Sequence, residues 1–425
     1  MKRLLLGAVL LLAAAAPMRA FSYRNLPDTL CGSMMPYDFR REQSAALPDS
    51  LRAVHVEYVA RHGSRFLSGE KKVGKIRKAL LKAREEGTIT PLGLRFLSFV
   101  DSVRAISSWR WGALSKVGKA ESARLGREMY ADIPALSADG AEVDAVSSPV
   151  PRVVMTMYQF LHAVNDSNEN LNISTFEGPV AKPLLCPFIT DRDYSAWRDS
   201  GAWKNDYNEF LDRHVSYEPA LRMLGEGSGY SHRRLRELTM EIYGVIQGNR
   251  AYGLPAPTTE WMTVGEFRGC WLATNALHYY RNCITPQSDL AGKAIAPLLE
   301  RIIDGIDDAV EDLEDGEMDE FDVMNCYFGH AETLLPLLSL MDYPAERSIP
   351  GDIDRLNDVW RVQDLTPLAA NLRITLLRAE SGEFYATVRL NGRGISPIPG
   401  RGEIVAWSEL RAFWTGRIMG LKVKG

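Results

Sequence analysis

The sequence contains little that would support a metal-dependent or a disulfide-stabilised protein. It has only five cysteines in 425 residues, and neither a Cys-x-x-Cys nor a His-Glu-x-x-His motif occurs. Zinc centres are usually built from such spacings, so we expect no metal site, and we expect no organic cofactor. An odd number of cysteines leaves at least one thiol free. We expect Cys270 and Cys283 to form a disulfide and Cys326 to be a buried thiol.

The chain also lacks a strong excess of charge of either sign. Its formal net charge is −4, from 50 basic and 54 acidic side chains, which gives no global attraction to nucleic acid or to an anionic membrane. Beyond the first residues, no apolar stretch is long enough to cross a bilayer. We therefore expect no nucleic-acid partner and no membrane span in the mature chain. The oligomeric state is not predicted.

The first twenty residues differ from the rest of the chain. Lys2 and Arg3 precede a continuous apolar run over residues 4–16, and polar sequence resumes near Ala20. A basic start followed by an apolar run too short to span a bilayer is typical of a secretory signal peptide. We expect residues 1–20 to be removed and the protein to be secreted or periplasmic. The alternative is an anchor that the mature chain retains.

Three polar clusters share one position relative to the predicted secondary structure. Runs rich in β-branched and aromatic residues predict strands over 53–60, 142–146 and 321–328, and a charged or polar cluster follows each strand. Ligands of open α/β sheets bind at the carboxyl ends of the strands, so the repetition indicates one shared site. We expect an α/β protein whose central sheet is flanked by helices.

The middle of the chain has a different pattern. Three of its segments have a helical periodicity: 232–247, 262–282 and 288–313. We expect a mostly α-helical cap, residues 181–309, inserted into an α/β core formed by residues 21–180 and 310–425. Two later strands, at 371–378 and 384–390, are expected to pair as a hairpin within this core.

The first cluster, Arg61-His62-Gly63-Ser64-Arg65, combines a nucleophile with two cations. A neutral imidazole is a competent nucleophile near neutral pH if a carbonyl holds its second ring nitrogen. The flanking guanidinium groups can each bind two oxygens of one phosphate. Gly63 would let the backbone turn tightly off the strand. These residues predict phosphoryl transfer through His62; the alternative is an exposed basic turn.

The same five residues resemble the RHGxR motif of the histidine phosphatase superfamily. His330-Ala331-Glu332 resembles the His-Ala-Glu element of its multiple inositol-polyphosphate phosphatase branch, where acid phosphatases and many phytases carry His-Asp. The order and spacing of the motifs and the export signal are similar to the acid phosphatase branch. One departure is Leu67, which stands where the family often has a proline.

This resemblance implies a role for each matching residue. His62 would form a phosphohistidine, and His330 would bind the phosphate together with Arg61 and Arg65. Arg152, which follows the second strand, would be the third phosphate-binding arginine. Glu332 would protonate the leaving oxygen and then activate the water that cleaves the phosphoenzyme.

The residue types also favour an acid role for Glu332 without the resemblance. An inositol or sugar alkoxide is a poor leaving group, so a positioned acid contributes about 10²- to 10⁴-fold. A phosphate bound beside the carboxyl would keep it protonated at mildly acid pH. The alternative for Glu332 is a carboxylate that stabilises a helix N-terminus. The alternative for Arg152 is a surface residue at the start of a helix.

A basic patch and the resemblance together indicate the substrate class. Five cations follow the nucleophile motif within thirteen residues of Arg65: Lys71, Lys72, Lys75, Arg77 and Lys78. Such a patch can steer a polyphosphate, although it is also typical of the solvated face of a surface helix. We expect phytate and lower inositol phosphates as substrates, bound in part by Lys71 and Lys72. Three alternatives stay open: a broad-specificity or sugar-phosphate acid phosphatase, a phosphoglycerate-mutase-like phosphotransferase, and a non-catalytic polyanion-binding protein.

Overall fold

A computed structural model describes residues 23–41, 47–316 and 322–423. The expected signal peptide, residues 1–20, lies outside these ranges, so its removal and the export of the protein stay predictions. Within the described ranges, no helix combines the length and the apolar character needed to cross a membrane.

In the described part of the chain, eight strands form one mixed sheet. They are β1 Leu51–Arg61, β2 Glu142–Ser147, β3 Asn172–Phe176, β4 Asp322–Gly329, β5 Asn371–Ala379, β6 Phe384–Leu390, β7 Arg393–Ile395 and β8 Ile404–Ala406. Their order is β3-β2-β4-β1-β5-β6-β7, and β8 pairs with β6. The pairs β3–β2, β2–β4 and β4–β1 are parallel, whereas β5 and β6 are antiparallel to their neighbours. The strands β2, β4 and β1 therefore end at one edge of the sheet.

Sixteen α-helices surround this sheet within the same ranges. They are α1 Lys71–Glu85, α2 Pro91–Ser107, α3 Lys116–Asp132, α4 Pro151–Asn165, α5 Lys182–Leu185, α6 Pro187–Thr190, α7 Arg192–Ser200, α8 Trp203–His214, α9 Glu218–Leu224, α10 His232–Ile246, α11 Asn249–Tyr252, α12 Val264–Asn282, α13 Leu290–Asp315, α14 Ala331–Leu340, α15 Val362–Leu365 and α16 Trp407–Val423. Successive residues of a strand face opposite sides of a sheet, and residues 55–61 of β1 are all buried. Both faces of the sheet are therefore covered.

The α/β fold expected from the sequence is confirmed. The strands expected at 53–60, 142–146 and 321–328 correspond to β1, β2 and β4, and β5 and β6 form the expected hairpin. β3 is not predictable from an apolar pattern, because four of its five residues are exposed at the edge of the sheet. Its Asn-Ile-Ser-Thr-Phe sequence carries no alternation that would mark a half-buried strand.

Two large hydrophobic cores and a small cluster around Tyr194 lie in the described residues. The first surrounds the sheet and includes Ile302 and Ile306 of α13. The second joins α1 to helices of the middle segment, with Leu80 packed in the same cluster as Leu238 and Phe267. Each core thus contains helical residues from the expected cap, 181–309, and from the expected α/β core. The division into a cap at 181–309 and an α/β core stays a prediction.

The expected disulfide between Cys270 and Cys283 is wrong. All five cysteines are buried free thiols, as was expected of Cys326 alone. Cys270 lies inside α12 and Cys283 follows its last residue, so thirteen positions of one helix separate them. At 1.5 Å per residue this is about 20 Å, whereas the Cα atoms of a disulfide are roughly 4.4–6.8 Å apart.

The loop after β1 crosses the first turn of α3 at close range. A Cβ atom on Gly63 would lie 2.7 Å from the carbonyl oxygen of Gly118, and a Cβ atom on Gly118 would overlap the carbonyl oxygen of Ser64. Ser115 donates its backbone N–H and its hydroxyl to the same Ser64 carbonyl, at 2.8 and 3.1 Å. Gly63 has no positive φ. The crossing of two backbones, and not a left-handed turn, is therefore what requires glycine there.

This crossing predicts that Gly118→Ala destabilises the protein by about 1–3 kcal/mol, because the added methyl group forces two backbone segments apart. Gly74→Ala in α1 is the matched control. No atom lies within 4 Å of its Cβ position, and alanine there should stabilise the helix by about 0.5–1 kcal/mol. Urea unfolding of the two variants measures both effects. Equal unfolding midpoints for Gly118→Ala and the wild type would contradict the crossing.

Candidate active site

Three segments that are distant in the sequence meet where β1, β2 and β4 end. His62 follows β1, Arg152 lies in the first turn of α4 after β2, and His330 follows β4. Arg152 Nη2 lies 3.5 Å from His330 Nδ1, and the ring centroids of His62 and His330 are 5.6 Å apart. The structure therefore brings together the three clusters that the sequence places after strands.

His62 is held as a neutral imidazole with one free nitrogen. Its side chain is buried, and Nδ1 lies 3.0 Å from the carbonyl oxygen of Gly63. A carbonyl can only accept a hydrogen bond, so Nδ1 carries the proton and Nε2 keeps a lone pair. Burial lowers the pKa of His62 well below its usual range, and the positive charges of Arg152, Arg61 and Arg65 lower it further. The ring therefore stays neutral and nucleophilic in mildly acid solution.

Three guanidinium groups surround this imidazole. Arg61 donates from Nη1 to the carbonyl oxygens of Ser33 and Thr366, at 2.6 and 2.7 Å, and Arg65 donates to that of Phe66 at 3.0 Å. Burial lowers the pKa of Arg61 to about 9 and that of Arg152 to about 10, and mutual repulsion among the arginines contributes to both shifts.

These arginines are short of hydrogen-bond acceptors. The buried Nε atoms of Arg61, Arg65 and Arg152 have no partner among the described residues. The N-termini of α4 and α14 lie at the same edge of the sheet and add further positive potential. Such a site favours an anion with several oxygens, because only an anion offsets both the charge and the missing acceptors.

His330 links the second and third segments. Its Nε2 lies 3.1 Å from the hydroxyl of Ser148, which follows β2, and its Nδ1 faces Arg152. Burial lowers the pKa of His330 to about 3; Glu332 opposes this shift, and Arg152 adds to it. A neutral His330 can donate one hydrogen bond to an oxyanion without adding charge.

Glu332 lies in the first turn of α14, and its side chain is 32% exposed. Its Oε1 lies 3.6 Å from Nη2 of Arg198, a buried residue of α7. Burial acts to raise the pKa of Glu332, but the positive charge of Arg198, with further contributions from His330, His278 and Arg61, outweighs it and lowers the pKa to about 2. The sequence predicts a protonated Glu332 beside a bound phosphate, whereas the protein's own groups favour the ionised carboxyl. Protonation at mildly acid pH requires added negative charge beside the carboxyl.

Glu121 holds the loop that carries His62 through hydrogen bonds to Ser64. Its buried carboxylate accepts from the backbone N–H of Ser64 at 2.7 Å, from the hydroxyl of Ser64 at 2.9 Å and from the backbone N–H of Tyr37 at 3.0 Å. Burial raises the pKa of Glu121, whereas these hydrogen bonds lower it. Together with the Gly63–Gly118 crossing, they hold the backbone that carries His62 in one place.

Arg198, Glu121 and Ser148 are the site residues that the sequence does not single out. Arg198 comes from a Trp- and Tyr-rich stretch whose pattern indicates core packing, and Glu121 looks like an ordinary helical glutamate. Ser148 belongs to the Ser147-Ser148-Pro149 run that follows the second predicted strand, and this position after a strand is the one available signal.

Lys71 and Lys72 lie in the first turn of α1, where both are exposed. Lys71 lines a groove of about 660 Å³ together with Arg77, Lys78 and Arg104, whereas Lys72 does not line it. Arg77 pairs with Asp101 at 2.6 Å, which reduces the positive charge of the groove. The lysines are not part of the arginine cluster, so their expected substrate contacts stay a prediction.

The groove lined by Lys71 begins a few residues after Ser68, which lies near Arg152. The Cβ position of Gly112 lies 3.7 Å from Nη1 of Arg152 and 3.7 Å from Cα of Ser68. Lys71 is three residues after Ser68, which puts its Cα within about 11 Å of that atom. A molecule larger than one phosphate could therefore extend from the arginines toward α1.

Solved structures share this fold. The multiple inositol polyphosphate phosphatase of Bifidobacterium longum in complex with inositol hexasulfate matches with a TM-score of 0.76 and 15% identity, over 90% of this chain and 97% of that one. The phytase from D. castellii matches with a TM-score of 0.71 and 15% identity, over 92% and 85% of the two chains. Neither a protein-family model nor a curated protein matches the sequence.

At this level of identity the likeness establishes the fold. It extends over nine-tenths of the chain. The resemblance to histidine phosphatases that Arg61-His62-Gly63-Ser64-Arg65 and His330-Ala331-Glu332 indicate in the sequence is therefore confirmed at the level of the fold, and the residue roles stay predictions.

Proposed function

We propose that the protein is a phosphomonoesterase that works through a phosphohistidine at His62. The observation that carries this proposal is a neutral imidazole with a free Nε2, buried among Arg61, Arg65 and Arg152. A nucleophile without charge can approach a phosphate dianion, and guanidinium groups stabilise the charge on its equatorial oxygens.

The proposed reaction has two steps. Nε2 of His62 attacks phosphorus, the bond from phosphorus to the alcohol oxygen breaks, and Glu332 gives that oxygen a proton. The ionised Glu332 then takes a proton from water, whose oxygen attacks the phosphohistidine and releases inorganic phosphate and neutral His62. Glu332 ends the second step protonated, as it was in the substrate complex. It gives this proton to solvent when phosphate leaves and takes one up again when substrate binds, so protons and bonds balance.

We expect two site variants to differ in their substrate dependence. His62→Ala should lose at least about 10³-fold in phosphate release from every phosphomonoester, because no nucleophile remains. Glu332→Gln should release an alkyl alcohol about 10²-fold or more slowly in the first turnover, but should slow the release of a phenol much less, because a phenolate leaves without a proton.

Steady-state phosphate release measures the loss in His62→Ala, and first-turnover release of the alcohol or phenol measures the loss in Glu332→Gln. The exposed His162 of α4 provides the control, and His162→Ala should keep full activity. Equal release by His62→Ala and the wild type would refute the mechanism and would favour a polyanion-binding protein. Equal slowing of Glu332→Gln on alkyl and aryl substrates would remove the acid role.

The proposed substrates are phytate and lower inositol phosphates. Two observations support this class over a broad-specificity phosphatase: the groove lined by Lys71 and Lys78, and the inositol polyphosphate phosphatase and phytase among the structures that share the fold. Six phosphates on one ring can place one group among the arginines while others reach α1.

A double substitution tests the contribution of the lysines. Lys71→Gln with Lys72→Gln should raise the KM for phytate about 3- to 10-fold, since an exposed ion pair contributes up to about 1 kcal/mol. The KM for an aryl monophosphate should not change. Raising the salt concentration should remove the difference for phytate. Equal KM values for phytate, or faster turnover of a sugar phosphate than of phytate, would contradict the proposed substrate class.

A further inference from the structure

Arg198 forms an ion pair with Glu332, with its Nη2 3.6 Å from Oε1. Its guanidinium lies over the ring of Phe188 at 5.0 Å and near that of Tyr194 at 5.8 Å, and Nη1 donates to the carbonyl oxygen of Phe188 at 3.5 Å. The Arg198 side chain is 9% exposed, whereas that of Glu332 is 32% exposed. Arg198 is therefore packed against aromatic rings, and its charge acts on the carboxylate.

The field at Glu332 comes from several elements. The titratable and charged groups that face it are Arg61 and Arg65 at the end of β1, Arg152 of α4, Cys186 between α5 and α6, Tyr194 and Arg198 of α7, His278 and Arg281 of α12, and His330 before α14. Burial lowers the pKa of His330 to about 3 and that of His278 to about 4, so both imidazoles are neutral above mildly acid pH. Full positive charges near Glu332 therefore come from arginines.

Arg198 differs from the other arginines in two ways: it is within ion-pair distance of Glu332, and a bound phosphate would not neutralise its charge. Arg61, Arg65 and Arg152 would be neutralised by a phosphate dianion, whereas Arg198 would keep its charge toward Glu332. Arg281 has its own carboxylate partner, Asp199, at 3.5 Å. Among the described residues, Arg198 is the one cation that forms an ion pair with Glu332.

The two chemical steps require opposite protonation states of the Glu332 carboxyl. As a general acid it must hold a proton when the alcohol leaves, and as a general base it must be ionised when water attacks. Phosphate charge beside Glu332 favours the proton, and Arg198 favours its loss. The balance between them decides the pH range in which both steps run.

We propose that Arg198 is a positioning residue that keeps Glu332 ionised between turnovers and sets the upper pH at which poor leaving groups are released. This inference rests on the proposed function, since it concerns the acid and base roles of Glu332. Arg198 would act only through that carboxylate and would touch neither the phosphate nor the alcohol.

The test is the pH dependence of kcat with an alkyl phosphate. In Arg198→Met the loss of the neighbouring charge should raise the pH at which Glu332 loses its proton, so the alkaline limb should move up by about 1 pH unit or more. Arg198→Lys, which keeps a charge on a side chain of different shape, should move the limb by less. With an aryl phosphate the alkaline limb should stay in place, because that leaving group needs no acid.

Three controls separate this effect from structural damage. Arg192→Met removes a 93% exposed arginine from the same helix and should leave the profile unchanged. In a Glu332→Gln background, Arg198→Met should have no effect on the limb. Melting temperatures identify variants that do not fold, and Arg198→Gln carries the same expectation if Arg198→Met is unfolded.

The outcomes are distinct for the two proposals. No phosphate release by the wild type from any phosphomonoester would overturn the proposed function itself. An active wild type whose alkaline limb stays in place in both Arg198→Met and Arg198→Gln would overturn the role of Arg198 alone. An alkaline limb that moves as far in Arg198→Lys as in Arg198→Met would also contradict the role of Arg198, because charge would then not be the cause.

Discussion

The structure depends on holding three guanidinium groups together at the edge of one sheet. Charges of one sign repel each other, and burial removes the water that would screen them, so this arrangement is unfavourable for the folded state. It persists because rigid elements impose it. Parallel β1, β2 and β4 end side by side, and the backbone carbonyls of Ser33 and Thr366 fix Arg61. Such stored electrostatic strain is typical of sites that bind an anion.

Burial and the same positive field together explain the state of the histidines. Burial lowers the pKa of His62 and of His330, and the arginine charges lower both further, so each ring is neutral in mildly acid solution. One buried, positively charged site thus provides both affinity for an anion and an uncharged nucleophile. The same positive field lowers the pKa of the Glu332 carboxyl, and the negative charge of a bound phosphate would raise it. Arg198, its ion-pair partner, lowers the pKa of Glu332 whether or not phosphate is bound.

Much of this arrangement could be predicted from the sequence, because strand patterns and motifs are local. Runs such as Val-His-Val-Glu-Tyr-Val-Ala identify β1, and Arg-His-Gly-x-Arg directly after it identifies the nucleophile loop. The parallel-sheet rule then puts Arg152 and His330 beside His62.

What could not be predicted depends on packing between distant segments. Nothing local marks Arg198 as the partner of Glu332, or Glu121 as the acceptor for the loop of Ser64. The disulfide prediction failed because it used separation in sequence, while α12 continues without a break up to Cys283. The reason for Gly63 also differs from the expected one, since the close approach of Gly118 is visible only in three dimensions.

The central claim is that Nε2 of His62 accepts the phosphoryl group. The most direct measurement uses Glu332→Gln with an aryl phosphate, which should form the phosphoenzyme readily and hydrolyse it slowly for want of a base. The protein is quenched and digested without acid, and the phosphorylated peptide is located by mass spectrometry. The account predicts one phosphoryl group on the peptide that contains His62. A phosphoryl group on any other residue, or none while phosphate is being released, would contradict it.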